Sequence, residues 1–417
     1  MEKAARVFSI EKSLVVQAWK LVKANKGSGG IDDQSIADFE VNLKDNLYKI
    51  WNRMSSGSYF PPAVKAVPIP KKSGGIRLLG IPTVGDRVAQ TVVKLVFEPV
   101  VEKIFLPDSY GYRPNKSALD AVGITRKRCW KFDWVVEFDV KGLFDNIDHE
   151  LLMKAVVKHT DNKWIILYIQ RWLVAPMELK DGKTIQRTKG TPQGSVIGPV
   201  LANLFLHYVF DYWMNKHYPN TPWCRYADDG LAHCRSEREA ENLMNALKER
   251  FVECKLELHP DKTKIIYCKD STRREEHSIT SFDFLSFTFR ARSSKNKRSG
   301  KLFANFLPAI SKSAKKDINA KIRKTNLRNR SELSLKEIAK RCNPVLRGVY
   351  NYYGKFYPSA MNSVWRNFDE TLTNWAMNKY KKFKHRKWWA SKFIQRIAIK
   401  DPKLFIHWEI RNKVHLV

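Results

Sequence analysis

The chain has 417 residues, enough for two or three domains, and its 43% hydrophobic content excludes a chain disordered by composition. Lys and Arg number 75 against 42 Asp and Glu, and the formal net charge of +33 is most simply explained by a polyanionic partner. No run of about 18 apolar residues indicates a membrane span, no secretory or transit pattern opens the chain, and the six Cys contain no CxxC pair, so free thiols in a reducing, cytoplasmic compartment are expected rather than zinc or disulfides.

In chain order, Leu14, Ala18, Leu21 and Val22 share one face of a helix over 9–25, and Gly27 to Gly30 stops it. Val64 to Pro70 alternates as a strand, with a hairpin turn at Gly74-Gly75. A helix over 86–105 is expected to break near Pro99. Trp134 to Val140 reads as a buried strand, followed by helices over 148–159 and 161–174. Asp181-Gly182 suggests a hairpin over 180–189. Ser195 to Lys216 is apolar nearly all round and reads as one long buried helix. Ser236 and Glu239 form a capping-box pattern for a helix ending near Cys254. Ser293 to Lys301 is polar and basic, a hairpin or a linker. Helical patterns follow over 310–325, 334–353, 361–380 and 388–399, punctuated by prolines.

Two acidic positions carry the chemistry. The strand from Trp134 ends in Asp139. About ninety residues on, Tyr226-Ala227-Asp228-Asp229 lies between two apolar runs, as the tip of a tight β-hairpin. An isolated Asp-Asp is ordinarily a solvated turn, and Asp139 alone reads equally as a helix cap. Together, at the ends of apolar strands, they suit two-metal nucleotidyl transfer, in which two Mg²⁺ ions roughly 4 Å apart hold the attacking and leaving oxygens. Mg²⁺ takes oxygen ligands and keeps much of its water, so two or three carboxylates suffice.

The surroundings of these acids resemble the reverse transcriptases of bacterial group II introns, block by block between residues 60 and 290. The blocks run Ile69-Pro70-Lys71-Lys72-Ser73-Gly74-Gly75-Ile76-Arg77, Asp86-Arg87-Val88-Ala89-Gln90, Ser109-Tyr110-Gly111-Tyr112-Arg113-Pro114, Phe138 to His149, Gly190-Thr191-Pro192-Gln193-Gly194, Arg225 to Asp229, His259 to Lys264, and Phe282 to Phe287. Asn25 to Asp32 is similar to the family's N-terminal extension, and the basic C-terminal third to its maturase domain, or thumb. The resemblance implies an α+β fold, a right-hand polymerase with fingers and palm of antiparallel sheet and helices, then an α-helical thumb. The expected domains are an N-terminal extension (1–60), fingers (61–132), palm (133–292) and a basic helical thumb or maturase domain (293–417).

The resemblance also implies roles. Asp139, Asp228 and Asp229 would be catalytic, with Asp139, Asp228 and the Val140 carbonyl as ligands of two Mg²⁺ ions, for which Mn²⁺ substitutes. Lys71, Arg77, Gln193 and Lys262 would contact the nucleotide, and Phe144 would block a ribose 2′-OH. Taken alone, Lys71 and Arg77 read as generic surface charge, and Phe144 equally as a core aromatic. Arg113, Gly194 and Tyr226 would contact nucleic acid. The implied partners are intron RNA, an RNA template, a DNA primer or target and dNTPs, in the bacterial cytoplasm and at the nucleoid when acting on DNA. The chain would assist splicing and copy its intron by target-primed reverse transcription. Ser195, Gly198 and Ser286 depart from the family's pattern, near template or primer. No ligand-spaced Cys/His set suggests the endonuclease module of many members, so integration is expected to use another nick or a single-stranded target.

Charge supports the RNA-binding half. Residues 291–417 hold 31 Lys and Arg against 7 Asp and Glu, together with Trp365, Trp375, Trp388, Trp389 and Trp408, which either pack helices or stack on bases. Other readings are a related enzyme recruited to defence or repair, an RNA-binding splicing factor alone, and an RNA-dependent RNA polymerase, against which Phe144 argues.

Overall fold

The computed structural model describes residues 7–70, 74–296 and 298–415, with side chains through 411. The chain forms two compact units, one from residues up to 121 with 136–265, the other from 122–135 with 266 onward. Helices and sheets are mixed throughout.

In the first unit, α1 (Lys12–Ala24) turns Val15, Ala18, Trp19 and Val22 inward. Trp19 stacks on Phe39 of α2 (Ile36–Val41), whose start is fixed by a Ser35/Asp38 capping box. In α3 (Leu43–Ser55), the Trp51 indole N–H donates to the Ile10 carbonyl at 2.7 Å. β1 (Val64–Pro70) and β2 (Ile76–Ile81) pair antiparallel, with Ile69 opposite Arg77. α4 (Val84–Glu102) runs through Pro99 without the expected break. Pro99 lies in the last turn, and burial of Val93, Phe97 and Val101 along one face outweighs its propensity cost of roughly 3 kcal/mol.

α5 (Ala118–Cys129) and β3 (Trp134–Asp139) follow, then α6 (Leu143–Asn146), α7 (His149–His159) and α8 (Lys163–Val174). The Asp148 carboxylate accepts the Leu151 N–H at 2.9 Å and starts α7. β4 (Met177–Glu178) pairs with β5 (Thr184–Ile185) around Asp181-Gly182, and β4 joins β1, giving the order β2-β1-β4-β5. The hairpin expected over 180–189 is therefore shifted towards the N-terminus, because Lys189 leaves the ladder to bridge Asp148.

The long helix expected over 195–216 is also corrected. α9 (Gly198–Leu206) begins later, gives way to a π-helical turn over His207–Asp211, and continues as α10 (Tyr212–His217). A π turn widens the helix by one residue and re-aims the side chain that ends it, here Asp211. β6 (Trp223–Tyr226), β7 (Asp229–Cys234), α11 (Glu237–Glu253) and β8 (Lys264–Tyr267) complete a sheet of order β6-β7-β3-β8.

Besides 122–135, which carries most of α5 and the start of β3, the second unit holds β9 (Ser281–Phe284), β10 (Phe287–Lys295) and β11 (Leu302–Ile310), a sheet of order β11-β10-β9. β10 and β11 pair antiparallel out to Lys295 opposite Leu302, so the polar stretch belongs to a hairpin and not a linker. Among the described residues five α-helices follow: α12 (Lys312–Lys324), α13 (Leu335–Tyr353), α14 (Asn362–Lys379), α15 (Lys387–Lys400) and α16 (Ile406–His415). Trp365, Phe368, Leu372 and Trp375 of α14 form the centre of the core. The Asp369 carboxylate ties α16 to α14, accepting from His407 Nε2 at 2.8 Å and Trp408 Nε1 at 2.9 Å. Trp365, Trp375 and Trp408 are therefore packing residues, whereas Trp388 and Trp389 stand in solvent.

Candidate active site

β3 and β7 are neighbours in one sheet, so the acid that ends β3 and the acid that begins β7 come together. Tyr226 pairs with Asp229, leaving Ala227 and Asp228 as the loop of the hairpin. The Val140 N–H donates to the Asp228 carbonyl at 3.4 Å. Asp139, Val140, Asp228 and Asp229 thus form one cluster, and Lys262 extends to it, its Nζ donating to Asp139 Oδ2 at 2.9 Å.

The cluster is electrostatically uncomfortable without added positive charge. Burial raises the Asp228 carboxyl, and the Asp139 charge raises it further. Asp229 is pushed up to about 8 by burial, by the Asp228 charge and by a hydrogen bond with Asp139. Partial burial opposes the Lys262 charge, but the hydrogen bond to Asp139 and the three carboxylates outweigh it, and its pKa rises. The donor set, carboxylates with no thiol or imidazole, fits a hard divalent cation, whose charge would relieve this repulsion. Among the described residues no three His, Cys, Asp or Glu side chains close into a metal cage. An open arrangement suits Mg²⁺, which keeps several waters and takes substrate oxygens as ligands.

A buried network holds the acidic turn in place. All five N–H groups of Arg225 have partners: Nε and Nη2 reach Asp211 at 2.7 and 2.6 Å, Nη1 reaches Asn203 Oδ1 at 3.1 Å and the Ala227 carbonyl at 3.0 Å, and Nη2 also reaches Ser109 Oγ at 2.8 Å. Asn203 in turn donates to the Gly111 carbonyl at 2.7 Å. Ala227 sits at φ 56°, a left-handed conformation that costs a residue with a Cβ roughly 1–2 kcal/mol. Gly111 lies directly against this turn, where a Cβ would come within 2.3 Å of the Ala227 nitrogen.

The residues expected to contact the nucleotide gather partly. Lys71 lies outside the described residues. Arg77 is exposed on β2. It acts on Tyr112, whose hydroxyl is pushed up by burial and by Asp228 and Tyr226, with Arg77 opposing. Tyr112 meets Phe144 edge to face at 6.3 Å. Gln193 Nε2 donates to Asp145 Oδ2 at 3.2 Å, which aims it beside Phe144. The loop bearing Gln193 and Gly194 is pinned from two sides. The Gly80 N–H donates to the Gln193 carbonyl at 2.7 Å, and Gln90 Oε1 accepts from the Val196 N–H at 2.7 Å. Gly194 has φ 119°, and a Cβ there would lie 2.4 Å from the Gly80 carbonyl oxygen, so no other residue fits. Ser195 Oγ accepts from the Gly198 N–H at 2.8 Å, giving that departure from the family pattern a local role.

Arg113 corrects its expected role. Its side chain is 6% exposed and bonds Glu102 at 2.9 Å and the Leu106 and Ser109 carbonyls, so it braces the chain leading to Gly111 and presents nothing to a nucleic-acid strand. Tyr226 remains partly exposed beside the acids. Tyr112, Asp211 and Asn203 are functional candidates that the sequence reading missed. The signal for Asp211 was present, a lone carboxylate in an apolar helix, which is retained only with a buried partner.

Two family models match this chain. The reverse transcriptase (RNA-dependent DNA polymerase) model covers residues 69–289, and the group II intron, maturase-specific domain model covers 315–394. Relatives include Protein YkfC of Escherichia coli, 28% identical over 61% of this chain and 77% of that protein. The Group II intron-encoded protein LtrA of Lactococcus lactis is 35% identical over 46% of this chain. The Putative COX1/OXI3 intron 2 protein of Saccharomyces cerevisiae is 26% identical over 64%. The matched regions span only 32% and 30% of the last two proteins. The chain belongs to the reverse transcriptase family, in the group II intron branch that carries a maturase-specific domain.

Proposed function

We propose that the chain is an RNA-directed DNA polymerase that extends a DNA primer on an RNA template by two-metal nucleotidyl transfer. The observation that carries this reading is the juxtaposition of Asp139 with Asp228 and Asp229 at adjoining strand ends, with Lys262 against them. Asp139, Asp228 and the Val140 carbonyl would hold two Mg²⁺ ions, and Asp229 would support the Asp228 position. When bound, the metals supply Lewis-acid stabilisation of the attacking and leaving oxygens. Arg77, with Lys71, grips the triphosphate. Gln193 and Phe144 bound the sugar. Lys262 neutralises charge beside Asp139 and would give a proton to the departing pyrophosphate. Most of the rate then comes from positioning and fixed charge. In this reading residues 61–132 act as fingers, 133–292 as palm and 293–417 as thumb and maturase domain of a right-hand polymerase, after an N-terminal extension. RNA-templated extension of a DNA primer should proceed with Mg²⁺ and dNTPs and stall with NTPs; efficient synthesis from NTPs would overturn the assignment.

The maturase-specific match over 315–394 and the basic residues around it support a second activity, binding of an intron RNA with assistance to its splicing, ahead of target-primed copying. No described helix is long and apolar enough to cross a membrane. In this reading the chain works on RNA in the bacterial cytoplasm and on DNA at the nucleoid. Splicing in vitro should survive Asp228→Ala, which removes only the polymerase; equal loss of both activities would contradict a separate RNA-binding function.

A further inference from the structure

α15 opens with two adjacent indoles that the core does not take up. Trp388 and Trp389 are 62% and 54% exposed, their ring centroids lie 4.7 Å apart, and their planes meet at 86°. The helix itself is seated, because Ala390 and Ile394 on another face are buried in the core of the unit. Two neighbouring Trp in water forgo more burial than any other pair of side chains, which marks such a pair as a contact surface. The flanking sequence is basic: residues 381–400 include eight Lys and Arg and no Asp or Glu. Lys392 lies one turn on, its Nζ 5.6 Å from the Trp388 ring centroid. Lys384 and Arg386 are exposed on the N-terminal side, and Lys387 pairs with Glu370 of α14.

We infer that Trp388 and Trp389 form a base-stacking platform for an unpaired stretch of RNA, whose phosphates Lys384, Arg386 and Lys392 engage. Indole faces stack on any base but reach one only where it is splayed from a helix, so the platform selects a loop or bulge over a duplex. Cations on either side supply the charge that a strand threaded over the rings requires. A membrane surface fits less well, because an interfacial helix needs a whole apolar face free, and here Ala390 and Ile394 are already buried. The choice of RNA over other polyanions rests on the polymerase and maturase reading above.

The test uses the full chain and a single-stranded RNA carrying 5-iodouridine, irradiated in the complex, with crosslinked peptides located by mass spectrometry. Crosslinks are expected on Trp388 or Trp389; efficient crosslinking confined to other peptides overturns the platform. In parallel, Trp388→Ala/Trp389→Ala should weaken binding of single-stranded RNA at least tenfold, and Trp388→Phe/Trp389→Phe should recover most of it. An abasic strand of equal length should bind both variants alike. Equal weakening on the abasic strand would overturn stacking. So would loss of binding to vesicles of 30% phosphatidylglycerol in phosphatidylcholine with RNA binding intact. Primer extension by the native protein is read in the same preparation, so failure of the polymerase reading shows there and not in the crosslink map.

Discussion

Arg225 and Asp211 form a buried, bidentate ion pair, with side chains 1% and 0% exposed, directly beneath the acidic turn. The pair exists because a π turn over His207–Asp211 rotates Asp211 towards β6, and because Arg225 still has donors left for the Ala227 carbonyl and Asn203. Removing one partner leaves an uncompensated buried charge, a cost of about 3–5 kcal/mol, whereas replacing both by apolar residues is often near neutral. Asp211→Asn should therefore lower the unfolding midpoint sharply, and Arg225→Met/Asp211→Leu should restore much of it. The double variant should still extend primers poorly, since nothing then holds the Ala227 carbonyl. Thermal melts and single-turnover extension separate the two effects, and full activity in the stable double variant would contradict a positioning role.

Gly111→Ala tests the same turn from its other side. A Cβ 2.3 Å from the Ala227 nitrogen must push the turn away. A displacement near 1 Å at a reacting centre costs on the order of 100-fold in rate. The maximal extension rate should fall by about that factor with nucleotide KM changed little. A drop confined to KM would place the effect in nucleotide binding.

Phe144 and Tyr112 should set sugar selectivity together. Phe144→Ala removes the ring proposed to bound the sugar and should raise incorporation of NTPs relative to dNTPs by roughly 10- to 100-fold. Tyr112→Ala withdraws the ring that abuts Phe144 and should produce a smaller shift in the same direction. The ratio of kcat/KM for matched dNTP and NTP pairs measures both, and unchanged ratios would assign Phe144 to packing alone.

His207 gives the fold a defined acid sensitivity. It is 4% exposed, between the rings of Phe105 and Tyr208, and burial lowers its pKa from 6.5 to about 4. The unfolded chain then binds the proton more tightly, so stability is complete above pH 6.5 and falls as pH drops towards 4. The loss is on the order of 3 kcal/mol. His207→Phe should flatten the midpoint–pH curve over that window. An identical slope in the variant would assign the acid loss to other groups.

Much of the site was legible because it rests on short-range pattern. Apolar runs ending in Asp139 and flanking Asp228-Asp229 announce strands by composition, and sheet pairing does the rest. What could not be read depends on partners distant in sequence. α2, α3 and α5 are short or polar-faced, and only contacts such as Trp19 against Phe39 show which side they bury. The π turn before Tyr212 is invisible to a 3.6-residue period, and with it the pairing of Asp211 with Arg225. Arg113 looked like a strand-binding cation because nothing local reveals that Glu102 and two carbonyls surround it. Trp365 and Trp389 are chemically alike in sequence, and only packing separates a core residue from an exposed one.

RNA-templated DNA synthesis tests most directly the metal-dependent centre proposed at Asp139, Asp228 and Asp229. Primer extension on an RNA template, with dNTPs and Mg²⁺, compares native protein with Asp228→Ala at matched RNA affinity. Long cDNA is expected from the native protein, none from the variant, and none from either with EDTA. Equal extension by both proteins, or none from native protein that still binds RNA tightly, would contradict the proposed centre.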